Sequence, residues 1–131
     1  MKFTTTLLAL SSFAHLGLCD IGPVTTYRPP YLPTKCYGSN QGQFPADNLF
    51  GAVGPGLWDN GAACGRKYRV RCWNPMSGSG SCKYGAVITI KIVEGRLGNR
   101  APPLSLSVQA AQMIYTGSGT FRGEYTVTLV D

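Results

Sequence analysis

Apolar and polar residues alternate with a period of two in several stretches of the chain. In Lys67-Tyr68-Arg69-Val70-Arg71-Cys72 the apolar Tyr68, Val70 and Cys72 fall on one side, and Lys67, Arg69 and Arg71 on the other. That is the pattern of a strand with one buried face. Residues 86–94 repeat it, with Ile88, Ile90 and Ile92 sharing a side, and β-branched residues suit a pleated surface. Residues 124–130 form a closing strand with Tyr125, Val127 and Leu129 inward. Asp20 to Tyr27 is a short run whose Pro23 suits a barrel-edge strand. One segment changes period. Leu106, Ala110 and Met113 share a helical face, with Ser105 or Ser107 as N-cap. Pro45–Phe50 predicts one short helical turn. The remainder is read as loop: the Pro-rich Arg28–Pro33, the Gly-, Asn- and Asp-rich residues 38–65, Ser77–Ser81, and residues 95–103. The sum is a small, mainly β barrel with one or two short helices.

Composition supports one domain of this kind. The chain has 131 residues, of which 17 are Gly and 9 Pro, so turns are frequent. Residues 1–19 read as a cleaved secretory signal: Lys2, an apolar run from Leu7 to Leu18, then small residues before Asp20. No later segment is long and apolar enough to span a membrane, so stable insertion is not expected. The expected mature domain is 20–131, secreted to the extracellular space. It retains Cys36, Cys64, Cys72 and Cys82, an even count that reads as two disulfides with three possible pairings.

Removal of the signal takes away Lys2, so the formal charge falls from +6 to +5. It also takes away His15, the sole histidine. A Ser-His-Asp triad is then impossible, and paired cysteines leave no thiol nucleophile. A zinc site is disfavoured, because no Cys-x-x-Cys occurs. No phosphate-cradling Gly loop opens a helix, so neither cofactor nor metal is expected. Nucleic acid is a poor partner for a secreted chain without a recognition motif. Glycoside hydrolysis needs two facing carboxyl groups, and Glu94 with Asp59 is the candidate pair. The outward Lys67, Arg69 and Arg71 are either a solvated strand face or a docking patch for anions: a bacterial envelope, an acidic polysaccharide or membrane headgroups. Tyr27, Tyr31, Tyr37 and Trp58 stand among loop residues and could line a groove for sugars.

Cys36-Tyr37-Gly38, together with Trp58-Asp59-Asn60-Gly61-Ala62-Ala63-Cys64-Gly65-Arg66-Lys67-Tyr68-Arg69-Val70-Arg71-Cys72, resembles plant natriuretic peptides and the wider expansin-like, EG45-type family. Tyr27-Arg28-Pro29-Pro30-Tyr31 and Gln43-Phe44-Pro45 resemble in particular its fungal members, secreted avirulence effectors of plant pathogens. The resemblance implies a six-stranded double-psi β-barrel with pairings Cys36–Cys64 and Cys72–Cys82. It aligns an expansin groove motif with Thr25-Thr26-Tyr27, one groove acid with Glu94, and a second with Ser105. With one of two acids lost, it implies a protein that is not an enzyme, and Glu94 is the remaining catalytic candidate. The second, carbohydrate-binding domain of full expansins is not expected. The implied function is a non-enzymatic virulence effector in the host apoplast. It would be monomeric, antibacterial or recognised by a plant cell-surface receptor. The alternative is an expansin-like module that binds or loosens cell-wall polysaccharide, and after it a glycan hydrolase or lytic transglycosylase using Glu94. The binding residues expected are Lys67, Arg69, Arg71, Tyr27, Tyr31 and Trp58.

Overall fold

A computed structural model describes residues 19–76 and 80–128. Residues 1–18 of the expected signal 1–19, residues 77–79 of the expected loop, and residues 129–131, which include Leu129, lie outside the described residues. Six strands are formed: β1 (Asp20–Thr26), β2 (Phe50–Val53), β3 (Lys67–Pro75), β4 (Ile88–Gly95), β5 (Leu104–Leu106) and β6 (Phe121–Thr128). Two short helices join them, α1 (Pro55–Trp58) and α2 (Val108–Ile114). The strands close into a barrel in the order β1-β5-β2-β4-β3-β6. The β1–β5 and β2–β4 pairs are parallel and the other four antiparallel. The disulfides are Cys36–Cys64 and Cys72–Cys82.

The alternating strands behave as read. Tyr68, Val70, Cys72, Ile88, Ile90 and Ile92 point into the barrel, where Val24, Leu104, Leu106, Phe121 and Tyr125 meet them. Closure corrects the expectation of an edge strand, because β1 has β5 on one side and β6 on the other. Pro23 is tolerated because pairing with β5 starts only at Val24, so its missing N–H interrupts no bond there.

Three further expectations are corrected. The 38–65 segment is not all surface loop, since it contains β2, every residue of which is buried. Its inner side belongs to the barrel core through Val53. Its outer side, Phe50 and Ala52, lies under Tyr27, Tyr31 and Phe44. A strand buried on both faces shows no alternation. Pro45–Phe50 is a hydrogen-bonded turn, with Asn48 N–H donating to the Pro45 carbonyl, and Phe50 already begins β2. Leu106 lies in β5, not in the helix. The cap is Ser107, so α2 buries Ala110, Ala111 and Ile114 and leaves Met113 exposed.

Candidate functional site

The outer side of the barrel carries a transverse row of side chains. Thr25 of β1 pairs with Ser105 of β5, Ser105 with Ala52 of β2, and Ala52 with Glu94 of β4. Paired residues on neighbouring strands share a face. Glu94 joins the row because the β2–β4 register shifts between Gly51 and Ala52, skipping Val93. An irregularity of this kind re-aims a side chain. Gly51 is required at the shift: a Cβ there would lie 2.4 Å from the Ser105 carbonyl oxygen.

The end of β1 brings Tyr27 to this row. Tyr27 is only 9% exposed, covered by Tyr31, Phe50 and their neighbours, yet its hydroxyl has no hydrogen-bond partner, and neither has the Thr26 hydroxyl. Burial pushes the Tyr27 phenol well above its ordinary range. The carboxylate of Glu94 pushes the same way, followed by Tyr31, while Arg96 opposes them. The Arg96 guanidinium lies 5.4 Å from the Tyr27 ring centroid and donates to Ser105 Oγ at 3.2 Å. Glu94 Oε1 accepts two backbone N–H groups, from Lys35 at 2.7 Å and Gly95 at 3.0 Å. Trp58 packs over Gly95, where an added Cβ would meet its ring at 2.7 Å. Tyr27 and Glu94 thereby meet on one stretch of the outer face, while Trp58 lies beside them over Gly95 and packs partly against the barrel core.

The other sequence candidates are placed elsewhere. Asp59 pairs with Arg66 at 2.9 Å, so it and Glu94 take different partners. Tyr31 works as a strut: its hydroxyl donates to the Tyr27 carbonyl and accepts from Val108 N–H, and its ring meets Phe50 edge-on. Lys67, Arg69 and Arg71 point outward as the alternation predicts, but along two hollows. Arg69 and Arg71 line one with Val87 and Thr126, while Lys67 lines another with Tyr37 and Lys91. Arg71 is ion-paired to Glu124 and lies 5.1 Å from the Trp73 ring centroid.

Arg96 is the residue that sequence reasoning missed. It stands two positions after Glu94, the spacing that puts both on one side of a continuing strand. Among the described residues no group of three His, Cys, Asp or Glu side chains could hold a metal ion.

No protein-family model matches the chain. The EG45-like domain containing protein 2 of Arabidopsis thaliana is 30% identical over 96% of this chain and 95% of that protein. An EG45-like domain containing protein of Citrus jambhiri is 30% identical over 68% of this chain and 66% of its own. Among solved structures, the expansin of Clavibacter michiganensis superposes with a TM-score of 0.63 at 19% identity. The match covers 87% of this chain and 52% of the expansin, so the chain spans about half its length. A mutant of that expansin in complex with cellohexaose superposes with a TM-score of 0.62. These superpositions identify the closed sheet as a double-psi β-barrel. Near-complete alignment at 30% identity with the Arabidopsis protein makes this chain a member of the expansin-like, EG45-type family.

Proposed function

We propose that this protein is a secreted module that binds cell-wall polysaccharide without cutting it. The observation that carries this reading is the outer-face row, which presents Glu94 as its one carboxylate and Ser105 two strands away. Hydrolysis of a glycosidic bond ordinarily needs a second carboxyl group facing the first. Glu94 is also fixed in place by two backbone N–H groups, from Lys35 and Gly95. One Glu94 oxygen receives both of those bonds, so the other can accept from a sugar hydroxyl. Trp58 offers its ring to the apolar face of a sugar. An expansin with this fold in complex with cellohexaose supports a glucan as the ligand class. The two disulfides and the expected signal at 1–19 support action outside the cell.

Sedimentation with microcrystalline cellulose, paired with an assay for released reducing sugar, tests this. The oxidised protein is expected to co-sediment and to release nothing. Trp58→Ala should weaken binding about tenfold, equivalent to roughly 1.4 kcal/mol, with thermal unfolding confirming that the variant folds. Sugar release that disappears in Glu94→Gln would make the protein a hydrolase and overturn the reading.

A second reading is an effector of a plant-associated fungus that contacts an anionic bacterial envelope or a plant cell-surface receptor. It draws on Arg69, which is exposed and has no described ion-pair partner. The curated relatives above are plant proteins, which favours the wall-binding reading. Salt-sensitive bacterial binding lost in Arg69→Ser would support the effector reading.

A further inference from the structure

We propose a second carbohydrate site, a cleft of about 720 Å³ whose ligand is an acidic, uronate-bearing polysaccharide. It goes beyond the reading of the Glu94 face and does not depend on it. The residues that matter are Tyr37, Gln43, Phe44, Asp47, Lys67 and Lys91.

Lys67 and Lys91 are register partners on the antiparallel strands β3 and β4, and both line the cleft. Like charges set directly opposite one another destabilise a sheet. An anion between them would turn that cost into binding. No described carboxylate lies within ion-pair distance of either lysine. Asp47, the acid in the lining, accepts the Leu49 N–H at 3.0 Å. Two cations against one anion leave the cleft positive.

The cation is also held in position. Lys91 Nζ donates to the Gln43 carbonyl at 2.9 Å and to Gln43 Oε1 at 3.1 Å, and lies 5.1 Å from the Tyr37 ring centroid. An ammonium has three donors, so one remains for a ligand. Gln43 ends a tight helical turn, Gln41–Gln43, whose cap is the Asn40 side chain. The Cys36–Cys64 bridge ties the walls together, because Tyr37 and Gly65 directly follow its two cysteines. Gly65 has φ of +86°, and a Cβ there would lie 3.1 Å from the Tyr37 hydroxyl. Glycine therefore lets the Tyr37 ring settle over the backbone.

The donor set matches a charged sugar. A carboxylate fits between the two ammonium groups. The Tyr37 and Phe44 rings offer faces for sugar C–H groups. The Gln43 amide and Asp47 can bond ring hydroxyls. The volume falls in the usual range for small-molecule pockets.

The test measures binding of the oxidised protein to immobilised, unesterified polygalacturonate at low salt. Lys67→Gln is expected to weaken binding about tenfold, a loss of roughly 1.4 kcal/mol. Methyl-esterified pectin should bind at least as weakly as that variant. Arg100→Gln, which removes an exposed cation elsewhere, should bind like wild type, and so should Trp58→Ala. The last comparison separates this cleft from the glucan face, since each can fail alone. Lys91→Gln could loosen the wall it braces. Lys67 makes no described hydrogen bond through its ammonium, so its variant decides. Unchanged binding in Lys67→Gln, an equal loss in Arg100→Gln, or equal displacement by polyglutamate would overturn the proposal.

Discussion

Tyr27 shows what one residue costs and signals. Its hydroxyl is buried without a partner, and an unsatisfied buried polar group is destabilising. Tyr27→Phe keeps the ring and removes that group, so it should leave stability unchanged or raise it by up to about 1 kcal/mol, read by urea unfolding at neutral pH. The pH dependence has a definite sign. Tyr27 is raised in the fold, chiefly by burial, so the folded state holds its proton where the unfolded chain has released it. Its contribution is complete below about pH 10, the unfolded value, and is lost as pH rises above it. Wild type should therefore lose stability in alkaline solution more steeply than Tyr27→Phe. Tyr125, also raised by burial, keeps part of that slope in both proteins. At this scale Glu94, Tyr27 and Trp58 were legible as candidates, whereas Arg96 was not. Its role comes from Ser105, nine residues away in the chain, and no local pattern links the two.

Among the elements, α2 turns on its cap. Ser107 Oγ accepts the Ala110 N–H at 3.2 Å and donates to the Asn48 carbonyl at 2.7 Å, and the residue is fully buried. Ser107→Ala breaks both bonds and leaves the buried Ala110 N–H without its cap. The expected loss is about 2 kcal/mol, measured by denaturant unfolding. The cap also explains why the helical face is Ala110, Ala111 and Ile114 and leaves Met113 in solvent. Starting the helix at Ser107 assigns Leu106 to β5, so the triad of Leu106, Ala110 and Met113 spans two elements. β2 was invisible for a different reason. Its residues are buried on both sides, and so short an apolar run has no period to read.

For the whole molecule, closure of the sheet and two covalent ties carry the stability argument. The Cys36–Cys64 bridge closes a separation of 28 residues and Cys72–Cys82 one of 10. Loop entropy then assigns about 3.6 kcal/mol to the longer and about 2.8 kcal/mol to the shorter. Cys36→Ala/Cys64→Ala should be the more destabilised of the two paired-alanine variants in denaturant unfolding. It should also lose polygalacturonate affinity, because that bridge ties Tyr37 to Gly65. Cys72→Ala/Cys82→Ala should keep that affinity while folded.

Local chemistry determined much of this protein from its sequence alone. The period-two runs at 67–72 and 88–92 set the side of each residue, since alternation is a property of the strand itself. The single histidine at position 15 removed imidazole chemistry from the expected mature domain. The residues around Cys36 and Cys64–Cys72 carried the family, and with it the barrel and the pairings. Only the tertiary structure decided what depends on distant segments meeting. It buried β2 between barrel and loop, set Ser105 in line with Glu94, spent Arg71 on Glu124, and faced Lys67 with Lys91. Those juxtapositions arise from strand order and register in a closed sheet, which a linear pattern does not contain.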